Sequence, residues 1–437
     1  MAIIQALVGL LFFIGIAYLF SSNRKAIDWR LVIIGVLLQI SLGIFIALVP
    51  GVDNVFRVIS QGFVFFLNFA VIGAEFLFGD LAKNSNAYPG VNHNLGLIIA
   101  FQVLPTILFI STVSAGLYYL GILQKIVYVF AWLMSKTMRL SGPESLSAAG
   151  NIFMGQTEAP LLVRPFIPKM TYSELMALMT GGMATIAGSV LGAYISFLGG
   201  NDPAQQAEFA AHLLTASIMN APAALVIAKI IVPQTEPDKI QKELMVSKES
   251  VGVNLIDALA NGAGEGLKLA LNVGAMLLAF VALIALINAL LAGLGTWIGV
   301  NSLIDAGTNG SFKALSLEYL MGQLGRPLAF IMGVPWEDTL VMGSLLGQKT
   351  AINEFVAYDA LGKLKSAGIL QEKTILIATY ALCGFSNFSS IAIQIGGIGA
   401  MAPEQQSNLS RLGLKALLAA SIACMMTGTI AGALYSK

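Results

Sequence analysis

The stretch SGPESLSAAGNIFMGQTEAPLLVRPFIPKM, residues 141–170, decides the fold, because it is apolar and yet cannot form one continuous helix. Four prolines interrupt it, and a proline inside a helix removes a backbone hydrogen bond and clashes with the preceding turn. A segment that enters the membrane, turns near its middle and leaves on the same side fits this pattern. The tip of such a hairpin carries unpaired backbone groups, so it must be buried in protein or line a wet cavity. We therefore predict a re-entrant hairpin over 141–168.

The rest of the chain has the composition of a membrane protein. Of its 437 residues, 57% are hydrophobic and 11% are charged, about half the charged fraction of an ordinary soluble domain. Apolar runs of about 20 residues can cross a bilayer as helices. Such runs cover residues 2–20, 31–49, 95–120, 173–199, 207–232, 266–298, 373–400 and 410–435. We predict an all-α polytopic membrane protein with about eight transmembrane helices, and we interpret residues 53–94 as an interfacial helix and loop.

A second stretch repeats the pattern of the first. In GVPWEDTLVMGSLLGQKTAINEFVAYDAL, residues 333–361, Pro335 corresponds to Pro143 and Gly347 to Gly155 at the same spacing. Downstream of each stretch comes a broken helix, since GGMATIAGSVLGAYISFLGG resembles CGFSNFSSIAIQIGGIGAM. Three whole crossings separate the two hairpins, so the hairpins enter from opposite faces. Two inverted units with broken helices that meet near the midplane are typical of secondary transporters.

The polar cluster Gln156, Thr157 and Glu158 falls where the first hairpin must turn. Thr157, followed by Glu158, Ala159 and Pro160, is typical of an N-cap and a first helical turn. Such a cap contributes about 1 kcal/mol, whereas a carboxylate in the membrane costs about 2.5–3.5 kcal/mol. Because capping alone does not offset that cost, we predict a functional role for Glu158.

Two further polar groups accompany the second repeat. Glu354 lies at the predicted tip of the second hairpin. It could form an ion pair with Lys349, but we favour a functional role, as for other ionisable residues within the membrane. Asn387 and Ser390 are three residues apart and would share a helix face near Phe385. From spacing alone, they could equally form a helix–helix contact.

Together these groups favour a neutral ligand that is rich in hydroxyl and amide edges. Paired carboxylates would also suit a membrane-embedded hydrolase, but the sequence offers neither a nucleophile motif nor a histidine near them. A gated pore for small polar solutes is a further alternative. The net charge of +1 gives no reason to expect nucleic acid as a partner.

Three motifs carry a family resemblance. GQTEAP, INEFVAY and YALCGFSNFSSI are similar to motifs of the concentrative nucleoside transporter family in its bacterial eight-helix form, and the resemblance covers the whole chain. It implies a homotrimer in the bacterial inner membrane, not an enzyme, in which each subunit pairs a scaffold with a mobile transport domain. It also implies nucleoside uptake driven by a cation gradient, with Na⁺ as the expected ion, although some bacterial relatives use H⁺.

The resemblance also assigns roles to residues. The nucleobase would be recognised by Gln156, Thr157, Glu158 and Val190. The ribose hydroxyls would bind Glu354, Asn387 and Ser390, with Phe385 as an apolar wall. The Na⁺ ligands would be Asn151, the Thr185 hydroxyl and the carbonyls of Met154 and Ile186.

The predicted domain organisation follows the repeat. Residues 1–121 would form scaffold helices with an interfacial helix, and 122–232 the first transport-domain repeat. Residues 233–300 would supply a connector and a further scaffold helix, and 301–437 the second transport-domain repeat.

Overall fold

The structure, a computed structural model, describes residues 2–49, 51–82, 97–200, 202–241, 243–245 and 252–435. Within these ranges the regular secondary structure is helical and there is no β-strand. Seven of the described helical segments are long and apolar enough to cross a membrane by length and composition, and Ile3–Leu19 and Phe388–Met401 are shorter apolar helices. The predicted all-α polytopic membrane fold is confirmed.

The described residues up to 138 form five α-helices, besides short 3-10 and π segments. They are α1 (Ala2–Leu19), α2 (Trp29–Leu48), α3 (Val52–Phe78), α4 (Leu104–Tyr119) and α5 (Ile122–Met138). Asp28 caps α2 by accepting hydrogen bonds from the backbone of the first helical turn. The segment Val55–Ala82 also meets the length and composition of a membrane span, whereas residues 83–96 of the predicted loop lie outside the described residues. The interfacial position of 53–94 therefore stays a prediction.

The first hairpin consists of two short arms and is followed by a broken helix. Its arms are α6 (Gly142–Gly150) and a 3-10 helix over Ala159–Lys169, in which Pro165 and Pro168 prevent regular α-helical bonding. The broken helix and the whole helix after it are α7 (Tyr172–Ala184), α8 (Gly188–Gly199) and α9 (Pro203–Ile231). Both α6 and α7 begin with a capping box. Ser141 and Glu144 form the one at α6, and Thr171 and Glu174 form the one at α7.

The second repeat has the same order of elements. After the long helix come two shorter helices, a hairpin, a broken helix and a whole helix. These are α10 (Leu255–Trp297), α11 (Asn301–Gly307), α12 (Leu317–Ile331), α13 (Thr339–Ala351), α14 (Glu354–Ser366), α15 (Glu372–Ala381), α16 (Phe388–Met401) and α17 (Gln406–Leu434). The predicted repeat of hairpin, broken helix and whole helix is confirmed.

Burial separates the repeats from the long helix. In the span Tyr172–Gly199, 94% of the most apolar window is buried, and the figure is 89% in α9 and 78% in Pro403–Leu434. In α10 it is 6%, although α10 packs along α4. The broken and whole helices therefore form the interior of the protein, and α10 lies at its periphery.

A buried ion pair fixes the base of the first hairpin. The Lys229 ammonium on α9 pairs with Glu144 on α6 and donates to the Ser173 hydroxyl on α7 at 2.9 Å. Both charged side chains are almost fully buried. Breaking a buried pair by removing one partner costs about 3–5 kcal/mol, so this contact holds the hairpin to the two helices behind it.

Candidate functional site

The two hairpin tips meet at the start of α16 and form one polar network. Gln156 Nε2, in the first tip, donates to Ser390 Oγ at 3.1 Å. Asn387 Nδ2 donates to Glu354 Oε2, in the second hairpin, at 2.9 Å. The backbone N–H of Ser390 donates to Asn387 Oδ1 at 2.9 Å, which joins the two halves. Three segments that are far apart in the sequence are thus brought together.

The position of Glu354 follows from the tip of the second hairpin, residues 352–353, where the chain turns between α13 and α14. Asn353 is the last residue of this tip, and its side chain caps α14 by accepting a hydrogen bond from Val356 N at 3.0 Å. Glu354 is therefore the first helical residue. The Glu354 carboxylate is 2% exposed and also accepts from the Tyr194 hydroxyl at 2.9 Å. Lys349 donates instead to the carbonyl of Ala381 at 2.9 Å. The ion pair of Lys349 with Glu354, considered as an alternative, is not the contact that Lys349 makes here.

Tyr194 is a site residue that the sequence analysis missed. It lies on α8 one turn after Val190, which is 1% exposed, so the two side chains share a helix face. Its ring stacks on Tyr358 with 4.6 Å between centroids and meets Phe355 edge-on at 4.9 Å. This aromatic packing fixes the hydroxyl that donates to Glu354.

Asn387 is an N-cap, and the predicted shared helix face with Ser390 is wrong in detail. Asn387 precedes α16, and its Oδ1 accepts from Ser390 N and, at 2.7 Å, from Ser389 Oγ. The spacing of three residues therefore reflects the geometry of a helix cap. Because capping uses the oxygen, the amide nitrogen of Asn387 is directed to Glu354.

A second glutamine supports Gln156 and was also missed. Gln394 lies one turn after Ser390 on α16, and its Nε2 donates to Gln156 Oε1 at 3.2 Å and to Met179 O at 3.1 Å. Gly182 allows this approach, since a Cβ there would lie 2.4 Å from Gln394 Nε2. The Gln156 amide is thus held at both ends, by Ser390 and by Gln394.

The predicted N-cap at Thr157 is wrong. The 3-10 helix begins at Ala159, with Glu158 in the capping position and no side-chain cap bond. Pro160 has no N–H for a cap at Thr157 to bind, and Ala159 N bonds to Gly155 O at 3.0 Å. Glu158 is half-buried, and its carboxylate accepts from Gly155 N at 3.2 Å. Thr157 is exposed, with its methyl group close to Gly397.

The four predicted cation ligands lie in the tip of the first hairpin, residues 151–158, and in the first helix break, residues 185–187 between α7 and α8. Asn151 is fully buried, and neither polar atom of its side chain has a hydrogen-bond partner among the described residues. Its Nδ2 lies 3.3 Å from the point where a Cβ on Gly181 would be, so the side chain packs against α7. Thr185 Oγ1 donates to Gly181 O at 2.9 Å. Met154 and Ile186 are buried in the same two segments.

A backbone contact joins these two segments. The N–H of Gly188 donates to Phe153 O at 3.1 Å, so the tip is held against the break. Buried oxygen donors without a fixed charge suit a weakly held monovalent cation such as Na⁺. The donor set therefore fits the ion that the resemblance implies.

Phe385 and Thr185 connect the two breaks. Phe385 is half-buried between α15 and α16, and its backbone N–H donates to Thr185 O at 3.2 Å. The predicted apolar wall and a predicted cation ligand are thus neighbours through the backbone.

Three models of known protein families match this chain. A family model described as "Na+ dependent nucleoside transporter C-terminus" matches residues 212–432, and its N-terminal counterpart matches 8–81. A third model, "Nucleoside recognition", matches 100–201.

Similar proteins extend from bacteria to mammals. An uncharacterized transporter of Haemophilus influenzae is 42% identical over 99% of this chain and 98% of its own length. Sodium/nucleoside cotransporter 1 of Mus musculus is 39% identical over 98% of this chain, which spans 63% of that protein.

Solved structures share the fold. The transporter CNTnw in an inward-facing substrate-bound state is 40% identical with a TM-score of 0.88, covering 99% of this chain and 98% of that one. An outward-facing variant of CNTnw gives a TM-score of 0.89 at 40% identity, with the same coverage of both chains.

Proposed function

Because this chain belongs to the Na⁺-dependent nucleoside transporter family, we propose that it is a symporter for uridine-like nucleosides. An inward Na⁺ gradient would drive their uptake. The chain is a membrane transporter and not an enzyme. The observation that carries the proposal is the network in which Gln156, Ser390, Asn387 and Glu354 join the two hairpin tips. This network offers donors and acceptors without a lone basic anchor, which suits a neutral ligand.

The two halves of the network would bind different ends of the nucleoside. Glu354 is a carboxylate that can accept ribose hydroxyls, and Asn387 and Ser390 would flank it. Gln156, with Thr157 and Glu158 in the same tip, would meet the polar edge of the base, because an amide both donates and accepts. Val190 and Phe385 would supply the apolar surfaces.

The cation would bind beside the nucleoside. Asn151 and the Thr185 hydroxyl would supply oxygen ligands, together with the carbonyls of Met154 and Ile186. The unpartnered Asn151 side chain supports this position, since a buried amide normally has a partner. A cation here would fasten the first tip to the first break and so complete the base-binding surface. Binding must then be reciprocal: Na⁺ tightens nucleoside binding by the factor by which nucleoside tightens Na⁺.

Transport would occur by movement of the two repeats against the rest of the subunit. Residues 122–232 and 301–437 would form the mobile transport domain, and 1–121 with α10 the scaffold. Rigid-body movement of one bundle past another around a fixed site gives alternating access. The family resemblance implies a homotrimer, in which further copies and lipid would share the largely unburied surface of α10.

Uptake of radiolabelled uridine into proteoliposomes tests the proposal. With an inward Na⁺ gradient, uridine should accumulate above its external concentration, and collapse of the gradient should abolish the accumulation. Accumulation that follows a proton gradient instead would identify H⁺ as the coupling ion. Uridine that only equilibrates would indicate a pore and would contradict the symporter.

A further inference from the structure

The two helix breaks meet at a single side chain of α9. Asn220 Nδ2 donates to Ala184 O at 2.8 Å and to Cys383 O at 2.6 Å. Ala184 is the last residue of α7, and Cys383 lies just beyond the end of α15. The last carbonyls of a helix have no partner within it. Asn220 satisfies the last carbonyl of α7 and, in the other repeat, the carbonyl of a residue just after α15.

A second donor approaches the same two carbonyls from the other repeat. Cys424 Sγ, on α17, lies 3.4 Å from Ala184 O and 3.4 Å from Cys383 O. Gly384 permits the breaks to come this close, because a Cβ there would lie 2.6 Å from Ala184 O. Each whole helix thus contributes one donor, and the amide of Asn220 is the stronger of the two.

The chain behind Asn220 fixes how its amide is turned. Gln39 Nε2, on α2, donates to Thr427 Oγ1 at 2.9 Å, and the Thr427 hydroxyl donates to Asn220 Oδ1 at 2.5 Å. The Asn220 oxygen therefore faces a hydroxyl, and its nitrogen faces the two carbonyls. Asn220 is itself fully buried, so solvent water cannot replace its hydrogen bonds to the two carbonyls.

The backbone held by Asn220 is the backbone that carries the proposed cation site. Ala184 directly precedes Thr185, and Phe385 N donates to Thr185 O, so movement of one break moves the other. One turn earlier on α9, Ser217 Oγ donates to Ile152 O, next to Asn151 in the hairpin tip. One face of α9 therefore holds three segments: the tip and both breaks.

We propose that Asn220 is a positioning residue for cation and nucleoside binding, because its amide sets the distance between the two helix breaks that carry the ligands. The inference rests on the proposed function. Without the two hydrogen bonds, the Ala184 and Cys383 carbonyls would separate, and the Thr185 and Ile186 oxygens would leave their positions. Na⁺ affinity would fall first, and nucleoside affinity would follow through the coupling between the two ligands.

The test uses two substitutions and a control in the full-length protein. Asn220→Asp keeps the size of the side chain but places oxygen where the two carbonyls need a donor. Asn220→Ser keeps a donor that is too short to reach both carbonyls. Thr429→Val is the control, because Thr429 is equally buried and its hydroxyl donates to Met425 O in its own helix. Uridine binding is titrated by calorimetry over a range of Na⁺ concentrations, and thermal unfolding is followed in parallel.

We expect the Asp variant to need roughly tenfold more Na⁺ or more for half-maximal uridine binding, since buried carbonyls lose their donor. The Ser variant should show a smaller shift in the same direction, and the control should match the wild type. Folded variants with unchanged Na⁺ dependence, even if they melt earlier, would show a purely structural role and overturn the inference. If the Asp variant does not fold, the Ser variant decides. Wild-type protein that binds no uridine would overturn the proposed function and this inference with it.

Discussion

Replacement of Glu354 by glutamine separates substrate recognition from folding. In the structure the carboxylate accepts from Tyr194 and from Asn387, both at 2.9 Å. Asn387 cannot turn its amide, because its oxygen caps α16 and accepts from Ser390 N. The single oxygen of the new glutamine must therefore serve Asn387. Its NH₂ group then faces Tyr194, whose hydroxyl can rotate to accept.

The size of the effect follows from this rearrangement. The internal contacts survive, so the unfolding temperature of Glu354→Gln should stay close to that of the wild type. The pocket, however, now presents a donor where ribose hydroxyls need an acceptor. A buried polar group without a matching partner costs about 1–3 kcal/mol. The Kd for uridine should therefore rise roughly 5- to 150-fold, because each 1.4 kcal/mol is about a factor of ten.

Calorimetric titration of purified protein with uridine at saturating Na⁺ measures this change. Tyr194→Phe is the matched variant, since it removes one donor to Glu354 and leaves the carboxylate in place. We expect a smaller loss of uridine affinity for Tyr194→Phe than for Glu354→Gln. A folded Glu354→Gln protein that binds and transports uridine as the wild type does would remove Glu354 from the site and refute the reasoning.

Three further changes test other parts of the structure. Asn151→Ala should raise the Na⁺ concentration for half-maximal uridine uptake before it lowers the maximal rate, as a Na⁺ titration in proteoliposomes will measure. Gly182→Ala places a Cβ 2.4 Å from Gln394 Nε2 and 3.1 Å from Gln156 Cβ, so Gln394 must move away and release Gln156, and uridine affinity should fall in calorimetry. Lys229→Met leaves Glu144 buried and unpaired, which should destabilise the fold by about 3–5 kcal/mol in denaturant unfolding. Adding Glu144→Gln, which removes the buried charge and keeps an oxygen for the capping box, should recover most of that loss.

Each of these expectations has a clear opposite. A fall in maximal uptake with unchanged Na⁺ dependence would remove Asn151 from the cation site. Unaltered uridine binding in Gly182→Ala would mean that Gln394 can move away without disturbing the pocket. A double variant at 144 and 229 that is no more stable than Lys229→Met would show that the ion pair is not what holds the hairpin base.

The hairpins and the repeat were predictable because an apolar chain marks its irregular segments plainly. Prolines at 160, 165 and 168 are too closely spaced for a continuous helix, and a carboxylate such as Glu354 stands out where almost every neighbour is apolar. The local detail at Thr157 was not predicted correctly, because the missing N–H of Pro160 outweighs the capping preference of threonine.

The missed residues share a different physical cause. Tyr194 and Gln394 lie in apolar runs where an aromatic ring or a lone amide suggests packing, and their partners are distant in the sequence. Asn220, in the middle of α9, offered a usable signal, because a buried amide in a membrane helix needs a partner. Only the folded chain shows that its partners are carbonyls from both repeats.

The length of α10 has a consequence for the lipid around the protein. Its 43 residues would span about 65 Å, roughly twice the hydrocarbon thickness of a bilayer. Even without its charged first turns, it is longer than the hydrocarbon core, and a helix with such a mismatch tilts, bends or thickens the bilayer around it. Thinner or thicker bilayers would change its slope and pull on α4, which packs along it. Turnover in vesicles should therefore depend on acyl-chain length, even where the pocket itself is unaltered.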